Sequence, residues 1–246
     1  MGMKIIPPGS DYEALKLGLI LPVAAGCQGF FLPNTSAERA VKNWAPGKVD
    51  GTLVGSPVFT SGYSSLQSNS VAYIETPVVE SPQMTILYAG RGTTDSSTDD
   101  LSPVFVSSRS SPGALGLTGG IQLYPNTAST QRIFFSQWTG STSINTIGVI
   151  SSYSVGAWQF IAGRITATTY SIRNLTTGVA SSEAALSNTH NPGSGKIRIG
   201  SMIDSTWKGK SDAAFCAMYD RALSDTEIST VYAWAKKYLA AKGITI

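Results

Sequence analysis

Phe215-Cys216-Ala217-Met218-Tyr219-Asp220-Arg221-Ala222-Leu223-Ser224-Asp225-Thr226-Glu227-Ile228 runs from strand through turn into helix. Phe215 to Tyr219 is apolar throughout, the pattern of a strand buried on both faces. Ser224-Asp225-Thr226-Glu227 forms a capping box, in which the Ser hydroxyl takes one orphan amide and the Glu carboxylate reaches back to another. Ile228, Val231, Tyr232, Ala235 and Leu239 then fall on one face at helical spacing. Asp225 and Glu227 sit at the positive end of the helix dipole, and Lys236, Lys237 and Lys242 towards the negative end. Gly243 supplies a terminator. The spacing predicts a helix over 225–242, with Leu223 fastening it to the sheet.

Working outward, short blocks of alternating apolar and polar residues are separated by Gly, Pro, Ser and Asn, the signature of an antiparallel sandwich. Met84–Ala89, Pro103–Val106, Gly120–Tyr124, Arg132–Phe135, Trp158–Gly163, Tyr170–Arg173 and Lys196–Gly200 read as strands, and residues 18–23 as the first core strand. Ser36 caps a second, short helix over 36–41. Gly92 to Ser102 is polar and acidic and reads as a solvated loop. Neither an internal repeat nor a separating linker is visible.

The bulk properties agree. Hydrophobic residues are 42% of 246, charged residues 13%, and the formal net charge is +3. Such a chain buries a core rather than remaining disordered. Its Lys and Arg form no stripe, which argues against nucleic-acid binding. Pro22 interrupts the apolar stretch from Leu15 to Leu32, leaving no run long enough to span a bilayer. Ala24-Ala25-Gly26-Cys27 matches a lipoprotein cleavage site, yet Asp11, Glu13 and Lys16 break the order of a signal peptide, so export through Cys27 is disfavoured. Cys27 and Cys216 fit no metal spacing. They read as two free, buried thiols, with a disulfide between the first and last strands left open.

The stretch from Tyr219 to Ile228 resembles the closing motif of concanavalin A-like, laminin-G-type jelly rolls, matching at Tyr219, Arg221, Ala222, Leu223, Ser224, Glu227 and Ile228. Gly156–Gly163 is similar to that family's mid-chain strand, Lys196–Gly200 to its penultimate one, and Asn43–Leu53 to its early turn. The resemblance implies an all-β, two-sheet antiparallel jelly-roll sandwich over residues 18–246, with one C-terminal helix. Residues 1–17 lie outside it. Their Ile5-Ile6-Pro7-Pro8 segment is apolar and held extended by proline, as expected of an attachment arm.

The search for chemistry yields a binder rather than an enzyme. His190 stands alone in a turn composition and reads as a solvated side chain. Neither a nucleophile elbow nor HExxH is present. Pro192–Lys196 lacks the first Gly and the following helix of a phosphate-binding loop. The paired carboxylates of sandwich glycosidases are missing too: Glu75 and Glu80 are split by proline, and Asp225 and Glu227 serve the helix cap. Asp95, Asp99, Asp100 and Asp204 carry loop oxygens suited to calcium, but no spacing motif unites them, so no cofactor is expected.

Tyr124, Trp138 and Trp207, with Asn126, are the candidate ligand residues: rings at strand ends stack on sugars while polar neighbours bond hydroxyls. Trp158 alternates with Phe160 and Ala162 and reads as core. The single domain, few charges and Ser/Thr-rich surface resemble phage tail-fibre or particle-surface proteins. That resemblance implies a virion-associated homo-oligomer, assembled in a bacterial cytoplasm, that binds host surface glycan or another virion protein. The alternatives are a structural decoration or assembly subunit without ligand, and a lectin module or glycoside hydrolase.

Overall fold

The computed structural model describes residues 19–94, 101–110, 113, 119–203 and 207–246. The expected arm at residues 1–17 and the acids Asp95, Asp99, Asp100 and Asp204 lie outside the described residues. In chain order come β1 (Cys27–Phe31), α1 (Ala37–Val41), β2 (Thr52–Gly55), β3 (Val58–Phe59), β4 (Ser64–Gln67), β5 (Ala72–Val79) and β6 (Met84–Gly92). The middle contributes β7 (Val106–Ser107), β8 (Ile121–Pro125), β9 (Gln131–Trp138), β10 (Ser143–Ile150), β11 (Gln159–Ile165) and β12 (Thr169–Asn174). Three two-residue strands follow, β13 (Val179–Ala180), β14 (Ala184–Ala185) and β15 (Thr189–His190), then β16 (Lys196–Ile199), β17 (Lys210–Tyr219) and α2 (Asp225–Ala240).

Every pairing is antiparallel. One sheet runs β1–β17–β6–β11–β12, with β13 and β14 on the free edge of β12. The other runs β2–β5–β16–β7–β8–β9–β10, with β15 beside the end of β9. The two are joined where β4 pairs both with the start of β17 and with β5. The result is an all-β sandwich closed by a C-terminal helix.

Period-two alternation sorts each strand between two cores. Ile86 and Tyr88 of β6, Cys216 and Met218 of β17, and Ile121, Leu123, Ile133 and Phe135 of β8 and β9 fill the space between the sheets. Leu87, Ala89, Phe215, Ala217 and Tyr219 point the other way, where they meet Ile228, Val231, Ala235 and Leu239 of α2. The architecture is therefore layered as outer sheet, inner sheet and helix. Leu223 is buried at the joint, and the capping box forms as expected: the Ser224 hydroxyl accepts from the Glu227 amide, and the Glu227 carboxylate accepts from the Ser224 amide. Gly243 adopts φ +77° just past the helix, where the Ile244 amide bonds back to the Leu239 carbonyl.

Residues 19–23 form no strand, contrary to the sequence expectation. Pro22 has no amide to donate, the Val23 carbonyl accepts from the Tyr219 hydroxyl, and that of Ala25 accepts from Arg221. The first strand starts after Gly26, at φ +76°. Pro103–Phe105 likewise precede β7 rather than belonging to it, because the Val104 amide donates to the Ser68 hydroxyl instead of to a ladder. Cys27 and Cys216 are free. Both are buried, but on opposite faces of the inner sheet, Cys27 towards the helix and Cys216 between the sheets. Alternation thus keeps the thiols apart although their strands pair.

Candidate functional site

On β8 and β9 the core-facing residues Ile121, Leu123, Ile133 and Phe135 alternate with Gln122, Tyr124, Arg132 and Phe134, which therefore line the outer face of the outer sheet. Tyr124 and Arg132 are directly paired across the two strands, as are Gln122 and Phe134. Side chains so placed start about 4.5–5.5 Å apart. Trp207, from the segment leading into β17, packs on Tyr124 with ring centroids 4.9 Å apart and planes at 53°. Tyr124 is consequently buried while Trp207 keeps part of its surface exposed. Asn126 follows in the turn to β9, held by its amide bond to the Thr130 carbonyl at 2.9 Å, with its side chain half-exposed.

The structure thus brings Tyr124, Trp207 and Asn126 together. Trp138 is elsewhere: it ends β9, paired with Ser143 and Thr189, six residues beyond Arg132. That is about 20 Å along an extended strand. The four sequence candidates make one cluster of three and a separate half-buried ring.

Sequence reasoning missed the cationic side of this face. Arg109 lies over the Phe134 ring, its guanidinium carbon 4.6 Å from the centroid. Arg198 does the same over Tyr73 at 4.6 Å, but it and Lys196 share Glu75 at 3.5 and 3.6 Å. Neither Arg132 nor Arg109 has an acidic partner among the described residues, and the Arg132 Nε is buried without a hydrogen bond. Gln122 is fully buried, and neither end of its amide has a partner. The alternation of Arg132 with Ile133 was a legible signal for its outward direction. Its unpaired state was not legible.

His190 overturns the expectation of a solvated loop side chain. It is 4% exposed and its Nε2 lies 2.8 Å from Oε1 of Glu80, whose side chain is fully enclosed. Its Nδ1 is 3.0 Å from the Pro82 carbonyl oxygen. The other Glu80 oxygen accepts from the Ser108 hydroxyl, from the Gly193 amide at 2.9 Å and from the Ile121 amide at 3.1 Å. Burial opposes the imidazolium, but Glu80 and the Pro82 carbonyl outweigh it and hold the His190 pKa above the ordinary histidine value. A carboxylate so surrounded ties the ends of β5, β7, β8 and β15 together. Its contacts, all within the protein, are those of a clamp.

A cleft of about 440 Å³ lies between Gln28, Lys48, Val79 and Asp220. Its polar groups satisfy one another, since Lys48 donates to Gln28 at 2.6 Å and Gln28 donates to Asp220 at 2.6 Å. Trp158 stands half-buried at the rim of the helix-side core, edge-on to Tyr63 at 5.3 Å and covered by Arg91 at 4.8 Å. Among the described residues, no three His, Cys, Asp or Glu converge to hold a metal ion. No described helix is long and apolar enough to cross a membrane.

The fold is that of a β-sandwich shared with several larger proteins. No protein-family model and no curated protein matches the chain. Among solved structures it is similar to the botulinum neurotoxin serotype D binding domain (TM-score 0.60, 10% identity), with 85% of this chain covering 51% of that one. It is similar also to the binding domain of Paraclostridial Mosquitocidal Protein 1 (TM-score 0.62, 12% identity, 87% against 52%). Trypanosoma rangeli sialidase in complex with sialic acid aligns over 93% of this chain and 35% of its own length (TM-score 0.59, 14% identity). The chain therefore spans about half the toxin domains and a third of the sialidase. At such identities the likeness concerns the fold.

Proposed function

We propose that this chain is a non-enzymatic, virion-associated binding domain of concanavalin A-like type, engaging host surface glycan through the outer face at Trp207. The observation that carries the reading is the half-buried Trp207 ring, backed by buried Tyr124, near Asn126 in the following turn and Arg132, which has no acidic partner among the described residues. An aromatic ring held rigid beside hydrogen-bonding groups without protein partners is what a saccharide needs: a stacking surface and donors for hydroxyls. A neurotoxin binding domain similar in fold is described in complex with SialylT, and the sialidase with sialic acid. Both names support a glycan, although the shared portion is only part of each chain. Binding rather than hydrolysis is supported by Glu80, engaged by His190 and backbone amides, and by Glu75, engaged by Lys196 and Arg198.

The test is a glycan array probed with a multivalent display, because a shallow site is weak in one copy and avidity multiplies binding by about 10²–10⁴. Trp207→Ala should remove binding while the variant still melts cooperatively. Wild-type adhesion by that variant refutes the site. A structural subunit without ligand is the second reading. It is favoured by edge strand β10, where Ile144, Ile147 and Val149 are exposed and suited to a second copy or another virion protein. Failure of every glycan, together with self-association lost in Ile147→Lys, would favour it.

A further inference from the structure

The geometry points to an acidic saccharide as the ligand class, its carboxylate paired with Arg132 while its ring stacks on Trp207. This rests on the glycan reading above and narrows it. Arg132 and Trp207 flank the same Tyr124 ring, Arg132 as the cross-strand partner of Tyr124 and Trp207 packed on it at 4.9 Å. The other basic group of this part of the face, Arg109, is spread over Phe134 two residues along from Arg132. On the opposite flank, Arg198 and Lys196 are matched by Glu75. Among the described residues, the cations of this face without an acidic partner, Arg132 and Arg109, thus lie on the same flank as the half-buried Trp207 ring. A guanidinium presents a planar fork that fits a carboxylate with two parallel hydrogen bonds, which a neutral hydroxyl cannot reproduce.

The experiment compares matched glycans on one array: a uronic- or sialic-acid-terminated series, the same series with the carboxyl reduced to the alcohol, and neutral counterparts. The wild-type display should hold the acids and bind the reduced forms about ten- to a hundredfold less, the loss expected for a charge-assisted hydrogen bond. Arg132→Gln should lower acid binding by a similar factor and binding of the reduced forms by far less, so that the preference for acid over reduced glycan is lost, while Arg132→Lys recovers part of that preference. Equal binding of acid and reduced glycans overturns the acidic assignment and leaves the glycan reading standing. An array on which nothing binds overturns both. Should Arg132→Gln fail to fold, the comparison of acid with reduced ligand on the wild type decides alone.

Discussion

Removing the carboxylate at Glu80 should be among the most damaging single changes on the outer sheet. Glu80→Ala strips the buried His190 of its counter-ion and deprives the Gly193 amide of its acceptor. The Ile121 amide keeps the Ser108 hydroxyl at 3.0 Å, so the loss is not total. Breaking one partner of a buried ion pair costs about 3–5 kcal/mol. At about 2–4 °C per kcal/mol for a chain of this size, the melting temperature should fall by roughly 6–20 °C. The pH dependence has a definite sign. Folding raises the His190 pKa, so its contribution is complete below the unfolded value of about 6.5 and is lost as pH rises through the higher folded value. The melting-temperature difference between wild type and His190→Gln should therefore be largest near pH 6 and shrink towards pH 9, read by differential scanning calorimetry. A difference that is constant, or that grows with pH, would refute the clamp as described.

Three further outcomes follow from the same structure. Truncation before Ser224 should abolish cooperative melting, because Ile228, Val231 and Leu239 each bury a side chain worth about 1.5–3 kcal/mol against a total stability of about 5–15 kcal/mol; a truncated chain that melts normally contradicts the layered core. Gln122→Leu should raise the unfolding free energy by about 1–3 kcal/mol, read by denaturant titration, since it deletes two buried groups that have no partner; a destabilised variant would mean the amide is satisfied after all. Burial pushes the Cys27 thiol up to about 12 and the Cys216 thiol higher still, so a thiol reagent should label neither in the native protein and both in denaturant; rapid native labelling would place either thiol elsewhere.

Local chemistry was enough for much of this protein. The apolar run at Phe215–Tyr219, the capping box at Ser224–Glu227 and the alternation at Met84–Ala89 or Tyr170–Arg173 each state a structure within a few residues, because strand period and helix capping depend on near neighbours. The grouping of Tyr124 with Asn126 was legible for the same reason. Trp207 entered that group, and Trp138 left it, only through the pairing of β8 with β9 and the path into β17. His190 in its Asn-Thr-His-Asn-Pro-Gly turn gave no sign of Glu80, a partner 110 residues earlier that only the docking of β15 beside β9 brings within 2.8 Å. Charge balance on a face is likewise a sum over strands distant in sequence. Residue types and periods determined which elements form and which way their side chains point; which of the described cations met an acid, and which came to lie near the half-buried Trp207 ring without one, was decided by register between strands far apart in the chain.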